Sequence, residues 1–186
     1  MGCWGITAFE SDAGLDSVDY IRSSLPQDGR LELGKIIEAL RKDDVRLPDV
    51  QDAESHTSPM ALAEIMVNFM DGNAGGMDYD GAWAAADNKF SSVSSFTVSG
   101  ESIQWLRDYL SDTLKYAREN AGFQAEHGTK WNGWFEEKDW NGWQEHMATL
   151  VSRLDTLIQL SASRTIDLLS PQMQESITGM SAMKMK

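Results

Sequence analysis

Three histidines (His56, His127 and His146), a single cysteine (Cys3) and twenty-nine carboxylates could carry acid–base, nucleophilic or metal chemistry in this 186-residue chain. Two of the histidines follow a glutamate, as Glu126-His127 and Glu145-His146. Neighbouring residues on a helix point apart, so neither pair is poised for proton transfer. The spacings of zinc peptidases, serine hydrolases, CxxC oxidoreductases and P-loop nucleotide binders are absent. Cys3 has no sequence-adjacent base to lower its pKa, and a lone cysteine excludes an internal disulfide. Asp12, Asp16 and Asp19 share one helical face and could meet a histidine across the fold as a metal site. The same spacing describes a solvated face with first-turn capping. Asp71, Asn73 and Gly76 follow the start of a calcium loop, but the fifth place is Gly75 and the twelfth, where a bidentate Glu closes the shell, is Ala82. No catalytic residue, metal site or cofactor is assigned on these grounds.

Two further groups of residues could bind a partner. Trp131-Asn132-Gly133-Trp134 and Trp140-Asn141-Gly142-Trp143 form an internal repeat nine residues apart. Stacked indoles bind sugars, bases or cations, so Trp131, Trp134, Trp140 and Trp143 are candidate ligand-binding residues; the stronger reading is that the second copy opens the main helix and the first is a hydrophobic clasp covering its end. The second group is acidic. Net charge is −13, with residues 1–100 contributing −10 from 7 basic and 17 acidic side chains. Residues 43–80 hold nine acids against one base, Arg46, and Asp43, Asp44, Asp49, Asp52 and Glu54 are the candidate partner-binding residues. Such a surface repels nucleic acid; it either simply keeps the protein soluble or steers a basic protein toward it.

These groups must be positioned by helices. In Asp139–Leu160 the residues Trp140, Trp143, Met147, Leu150, Leu154 and Leu157 alternate three and four apart, with Val151 and Ile158 widening the stripe, which predicts a core-facing helix capped by Asp139. Other helices are predicted from Ser11 or Asp12 onward (Leu15, Val18, Ile21, Leu25), over Leu31–Lys42, over Met60–Met70 behind a Ser58-Pro59 start, and over Gly100–Asn120, capped by Ser99 and ended by Gly122. The third is apolar on most faces and is expected to be buried. Residues 91–99 read as a Ser-rich loop or short extended segment, and Gly2 and Gly5 are expected to let the Trp4 indole turn into the core.

The opening, Met1-Gly2-x-Trp4-Gly5-x-x-x-Phe9-x-x-Asp12, runs into a helix with Leu15 and Asp16 and resembles the bacterial family catalogued as domain of unknown function 4259. The Ala61–Ile65 helix and the Trp143–Leu157 helix look similar too, so the resemblance spans about residues 1–160, with its specificity in the first dozen. The Gly-rich insert 72–81 and the Met-rich end depart from it. The resemblance implies a compact helical bacterial protein and supplies no activity or catalytic residues.

The expected fold is therefore all-α, a single-domain bundle of about five helices over residues 1–170 with long acidic and Gly/Ser-rich loops, followed by a flexible Met-rich tail, 171–186. Neither a basic, apolar signal at the start nor an apolar run of membrane-spanning length occurs, and a cytoplasmic location is expected. The expected function is non-catalytic protein binding, most concretely a toxin-neutralising immunity protein that occludes a basic effector. The alternative is a metal-dependent hydrolase or small-ligand-binding domain using the Asp/Glu/His inventory or the tryptophans.

Overall fold

In the computed structural model, residues 2–43, 46–47, 49–50, 57–79, 88–127, 137–161 and 164–184 are described. Among them the chain is mostly helical: α1 (Asp12–Ser23), α2 (Leu33–Arg41), α3 (Thr57–Met70), α4 (Gly100–His127), α5 (Trp140–Ser161) and α6 (Pro171–Lys184). Three short strands, β1 (Arg30–Glu32), β2 (Ser95–Val98) and β3 (Ile166–Asp167), join them into one sheet of order β1-β2-β3.

The central helix is read correctly from its period. Trp143, Met147, Leu150, Leu154, Leu157 and Ser161 are the buried residues of α5, and Val151 and Ile158 pack half-buried on its flanks. Helix α4 lies antiparallel to it, since Arg107 bonds Asp155 at 2.8 Å while Arg118, eleven residues on, bonds Gln144 at 2.8 Å. Its inward residues Ile103, Leu106, Leu110, Leu114 and Ala117 are buried as their spacing requires. Ser99 caps it, its hydroxyl accepting from the Ser102 N–H at 3.1 Å. Helix α3 is the most enclosed: Met60, Ala61, Leu62, Ala63, Ile65, Met66 and Phe69 are all fully buried. Phe69 meets the edge of Phe96 at 5.2 Å and of Phe90 at 6.2 Å, which ties the helical layer to the sheet.

The expected helical character holds, but the all-α bundle of about five helices is corrected by six helices and a sheet among the described residues. Leu31, assigned to the second helix, instead lies in β1 opposite Phe96, and α2 begins at Leu33. The parallel register Arg30↔Ser95, Leu31↔Phe96, Glu32↔Thr97 and the antiparallel pair Val98↔Ile166 join segments more than 60 residues apart. Strands of three and two residues carry no alternation of their own, so tertiary pairing alone makes them strands. Asp167 fastens the corner: its carboxylate accepts from Ser95 Oγ at 2.6 Å and from the Phe96 and Leu169 N–H groups at 3.0 Å. Burial alone would raise this carboxyl, and those three bonds together hold it below its usual range.

Two helix ends also differ. Gly122 does not stop α4, which continues to His127, because a single glycine weakens a helix without ending it unless the chain turns there. Residues 171–184, read as a tail, form α6, whose Met173 is buried in the core.

The aromatic junction between layers sets a first test. Phe69→Ala removes a fully buried ring between two others, and urea denaturation should show a loss of about 3–5 kcal/mol.

Candidate functional site

Helix α3 buries one carboxylate among its apolar residues: Glu64 is 5% exposed. An ionised group so placed costs several kcal/mol unless donors surround it. Two distant parts of the chain supply them. The Ala8 N–H lies 2.9 Å from both Glu64 oxygens, and His146 Nε2, from α5, lies 2.7 Å from Oε1. When the carboxylate is ionised, His146 is the donor of that bond.

Residues 2–11 fold so as to present Ala8. Cys3 bridges Ser11, Trp4 N–H donates to Glu10 O at 3.0 Å, and Gly2 N–H donates to Asp12 Oδ2 at 2.6 Å. The Glu10 carboxylate turns inward and accepts from Ile6 N–H (3.0 Å), Thr7 N–H (3.1 Å) and Thr7 Oγ1 (3.0 Å). Ser11 then caps α1 by accepting from Gly14 N–H. Two glycines permit this close packing. A Cβ on Gly14 would fall 1.8 Å from the Ala8 carbonyl oxygen, and one on Gly5 2.3 Å from the Glu10 carboxylate. Neither Gly2 nor Gly5 has a positive φ, so the expectation that they supply unusual backbone conformations is overturned, and at Gly5 a need for space takes its place. The expectation for the indole is also overturned. Trp4 is 58% exposed, since the loop turns Ser11 inward and leaves position 4 outside.

Glu64 and His146 border an open cleft of about 320 Å³. Phe9, Val67, Met77 and Leu150 wall it with apolar surface, and Thr7 adds a hydroxyl. Burial pushes the Glu64 carboxyl up, against the opposing pull of His146 and of the Ala8 and Phe9 N–H groups. Glu10 is moved down, chiefly by the Thr7 N–H, with burial opposing and Thr7 Oγ1, Ile6 and His146 assisting. An imidazole held by a buried carboxylate can keep or pass a proton at the cleft wall. No nucleophile accompanies it among the described residues: Thr7 Oγ1 is committed to Glu10, and Cys3 Sγ is directed to Gly5 O at 3.1 Å. Nor do three or more metal-ligating side chains meet among the described residues.

A second buried charge is structural. Arg22 of α1 donates to Met77 O at 3.1 Å and lies over the rings of Tyr79 (4.5 Å) and Phe90 (5.6 Å). Tyr79 donates to Asp19 Oδ1 at 2.9 Å, and burial followed by Asp19 drives its hydroxyl well above the usual phenol range.

The residues singled out by sequence have separate positions. Asp43 is half-buried with Arg46 Nε 3.9 Å away, and Asp49 is exposed; Asp44, Asp52 and Glu54 lie outside the described residues. Trp143 is fully buried and stacks on the half-buried Trp140 at 5.7 Å, which places Trp143 in the core. Trp131, Trp134 and His56 lie outside the described residues. The calcium-like loop disperses its oxygens: Asp71 pairs with Arg153, while Asp78 accepts from the Phe90 and Ser91 N–H groups at 2.7 and 3.0 Å. Of the α1 carboxylates, Asp12 holds Gly2, Asp19 holds Tyr79, and Asp16 is exposed. No family model, curated protein or solved structure matches the chain. Glu64 and His146 were not paired by sequence reasoning, yet Glu64 carries a signal: it is the single charge in the apolar run Met60–Met70.

Three substitutions test this site. Glu64→Ala strands His146 and the Ala8 N–H and should cost about 3–5 kcal/mol in urea denaturation, whereas Glu64→Gln, which keeps an acceptor and a donor, should cost under about 1.5 kcal/mol. Gly14→Ala should displace the N-terminal loop and cost at least about 2 kcal/mol. The pH profile supplies a sign. Glu64, raised on folding, favours the folded state below its unfolded value of 4.5, and that contribution is lost as pH rises through its folded value. Glu10, lowered on folding, contributes above its unfolded value and loses that contribution as pH falls. Glu64→Gln should therefore remove the decline on the rising side and leave the acid-side loss in place.

Proposed function

We propose that the chain is a non-catalytic binding protein that recognises a basic protein partner, in its most concrete form an immunity protein occluding a basic effector. The observation that carries this is the placement of charge. The buried groups Glu64 and Arg22 are engaged inside the fold, while the surplus that makes the net charge −13 includes the exposed Asp12, Asp16 and Asp49. Complementary charge speeds encounter and selects partners. The Glu64–His146 pair is bonded to its own scaffold, which suits a locking role. The opening motif supports a place beside the bacterial family 4259, and with it a bacterial cytoplasmic setting. No helix among the described residues is long and apolar enough to cross a membrane.

One observation favours a second reading, small-ligand binding: the cleft at Glu64 and His146 joins apolar walls to a titratable pair. A ligand there would shift the His146 ring resonances in a metabolite extract, and unchanged resonances would remove that reading.

The primary proposal is tested by capture from host extract on the immobilised domain. A basic protein should be retained at low salt and released at high salt, and Asp44, Asp49 and Asp52 changed together to Lys should weaken retention by about tenfold or more. Retention indifferent to both salt and reversal would overturn it.

A further inference from the structure

Trp4 is the one large hydrophobic side chain left exposed among the described residues. Leaving more than half of an indole in water forgoes burial that the same ring would gain inside. A fraying terminus would explain that, but the backbone around Trp4 is held. The Trp4 N–H is bonded to Glu10 O, Gly2 N–H to Asp12, and Cys3 is bridged to Ser11, while Ala8 is clamped by Glu64 at 2.9 Å. Ser11 is turned inward at 1% exposure, whereas Trp4 and Asp12 are both exposed, and the Asp12 carboxylate accepts from the Gly2 N–H at 2.6 Å, two residues before the indole. Asp16 follows Asp12 by one helical turn and is exposed. No Lys or Arg precedes Arg22 in the sequence, and Arg22 is itself buried, so the surface that residues 2–21 contribute is aromatic and acidic.

That combination fits an arginine. A guanidinium stacks on an indole face and bonds a carboxylate beside it, and rigidly presented tryptophans are among the side chains that dominate binding energy. We propose that Trp4, with Asp12 and Asp16, is the anchor point at which the basic partner's surface docks through an arginine side chain. This rests on the basic-partner reading and adds to it a contact that can be tested separately. Holding Trp4 in place before encounter reduces the ordering cost of association.

The test uses the full chain and an acetylated, amidated Arg-Gly repeat peptide, with Lys-Gly and Glu-Gly versions of equal length. In a nitrogen–proton spectrum the Trp4 indole signal, assigned by its loss in Trp4→Ala, should move with the arginine peptide, move less with the lysine peptide and stay with the glutamate peptide. Trp4→Ala, at an exposed position, should keep the unfolding midpoint and weaken the arginine peptide by about tenfold, with Trp4→Phe intermediate. Equal binding by Trp4→Ala, or an unmoved indole signal, overturns the proposal. So does a dimer in light scattering that Trp4→Ala converts to monomer, because a second copy would then be the occupant. Charge reversal of Asp44, Asp49 and Asp52 separates the two readings. Host-protein capture lost on that reversal but intact in Trp4→Ala would sink the Trp4 site and leave the basic-partner proposal standing. Trp4-dependent peptide binding with no basic protein captured would do the opposite.

Discussion

A carboxylate withdrawn from water has to be met by donors wherever they come from, and in this chain they come from opposite ends. Glu64 draws the Ala8 N–H from 56 residues before it and His146 from 82 residues after it. That requirement explains features that look unrelated. Gly14 is needed because seating Ala8 brings its carbonyl against the first turn of α1, and Gly5 because the same loop folds the Glu10 carboxylate back over its own backbone. His146 sits on the flank of the α5 stripe, three residues after Trp143 and four before Leu150, where a polar ring can face α3 while its neighbours fill the core.

Legibility in the sequence follows the range of the interactions. The α5 stripe, the inward face of α4 and the burial of α3 are repeated local signals, each fixed by many residues of one type at one period, and all three are found where the spacing puts them. The strands β1 and β3 are too short to show a period, and β2 is legible only as an interruption rich in Ser and Thr. The Glu64–His146 pair is legible in one half: a lone acid inside an apolar run announces an internal partner without naming it. Adjacency in sequence even points the wrong way, since Glu145 is next to His146 and exposed, while the partner is on another helix. Trp4 shows the same limit. Its flanking glycines suggested an inward turn, but inside and outside are decided by the bridge between Cys3 and Ser11.

The two kinds of charge in the molecule have different duties. Inside, Glu64 and Arg22 each hold one segment onto another, Glu64 with backbone and imidazole donors and Arg22 with a carbonyl, two rings and the Asp19 carboxylate at 3.5 Å. Over the chain 29 acids outnumber 16 bases, so an acidic excess is left after surface pairs such as Lys35–Glu32 and Arg153–Asp71. A fold that keeps these groups engaged in its own interior leaves its surface charge for encounter, which is the division that the proposed role requires.

The sheet's dimensions bear on how the protein behaves in a crowd. Both outer strands are minimal, three residues in β1 and two in β3, and the longer β2 is paired on either side. An edge that short offers a neighbouring chain almost no ladder of free N–H and C=O groups to extend, and β1 ends directly in a helix. Together with mutual repulsion between copies of a strongly acidic molecule, this guards the sheet against strand-by-strand association, so at high concentration the protein should stay dispersed.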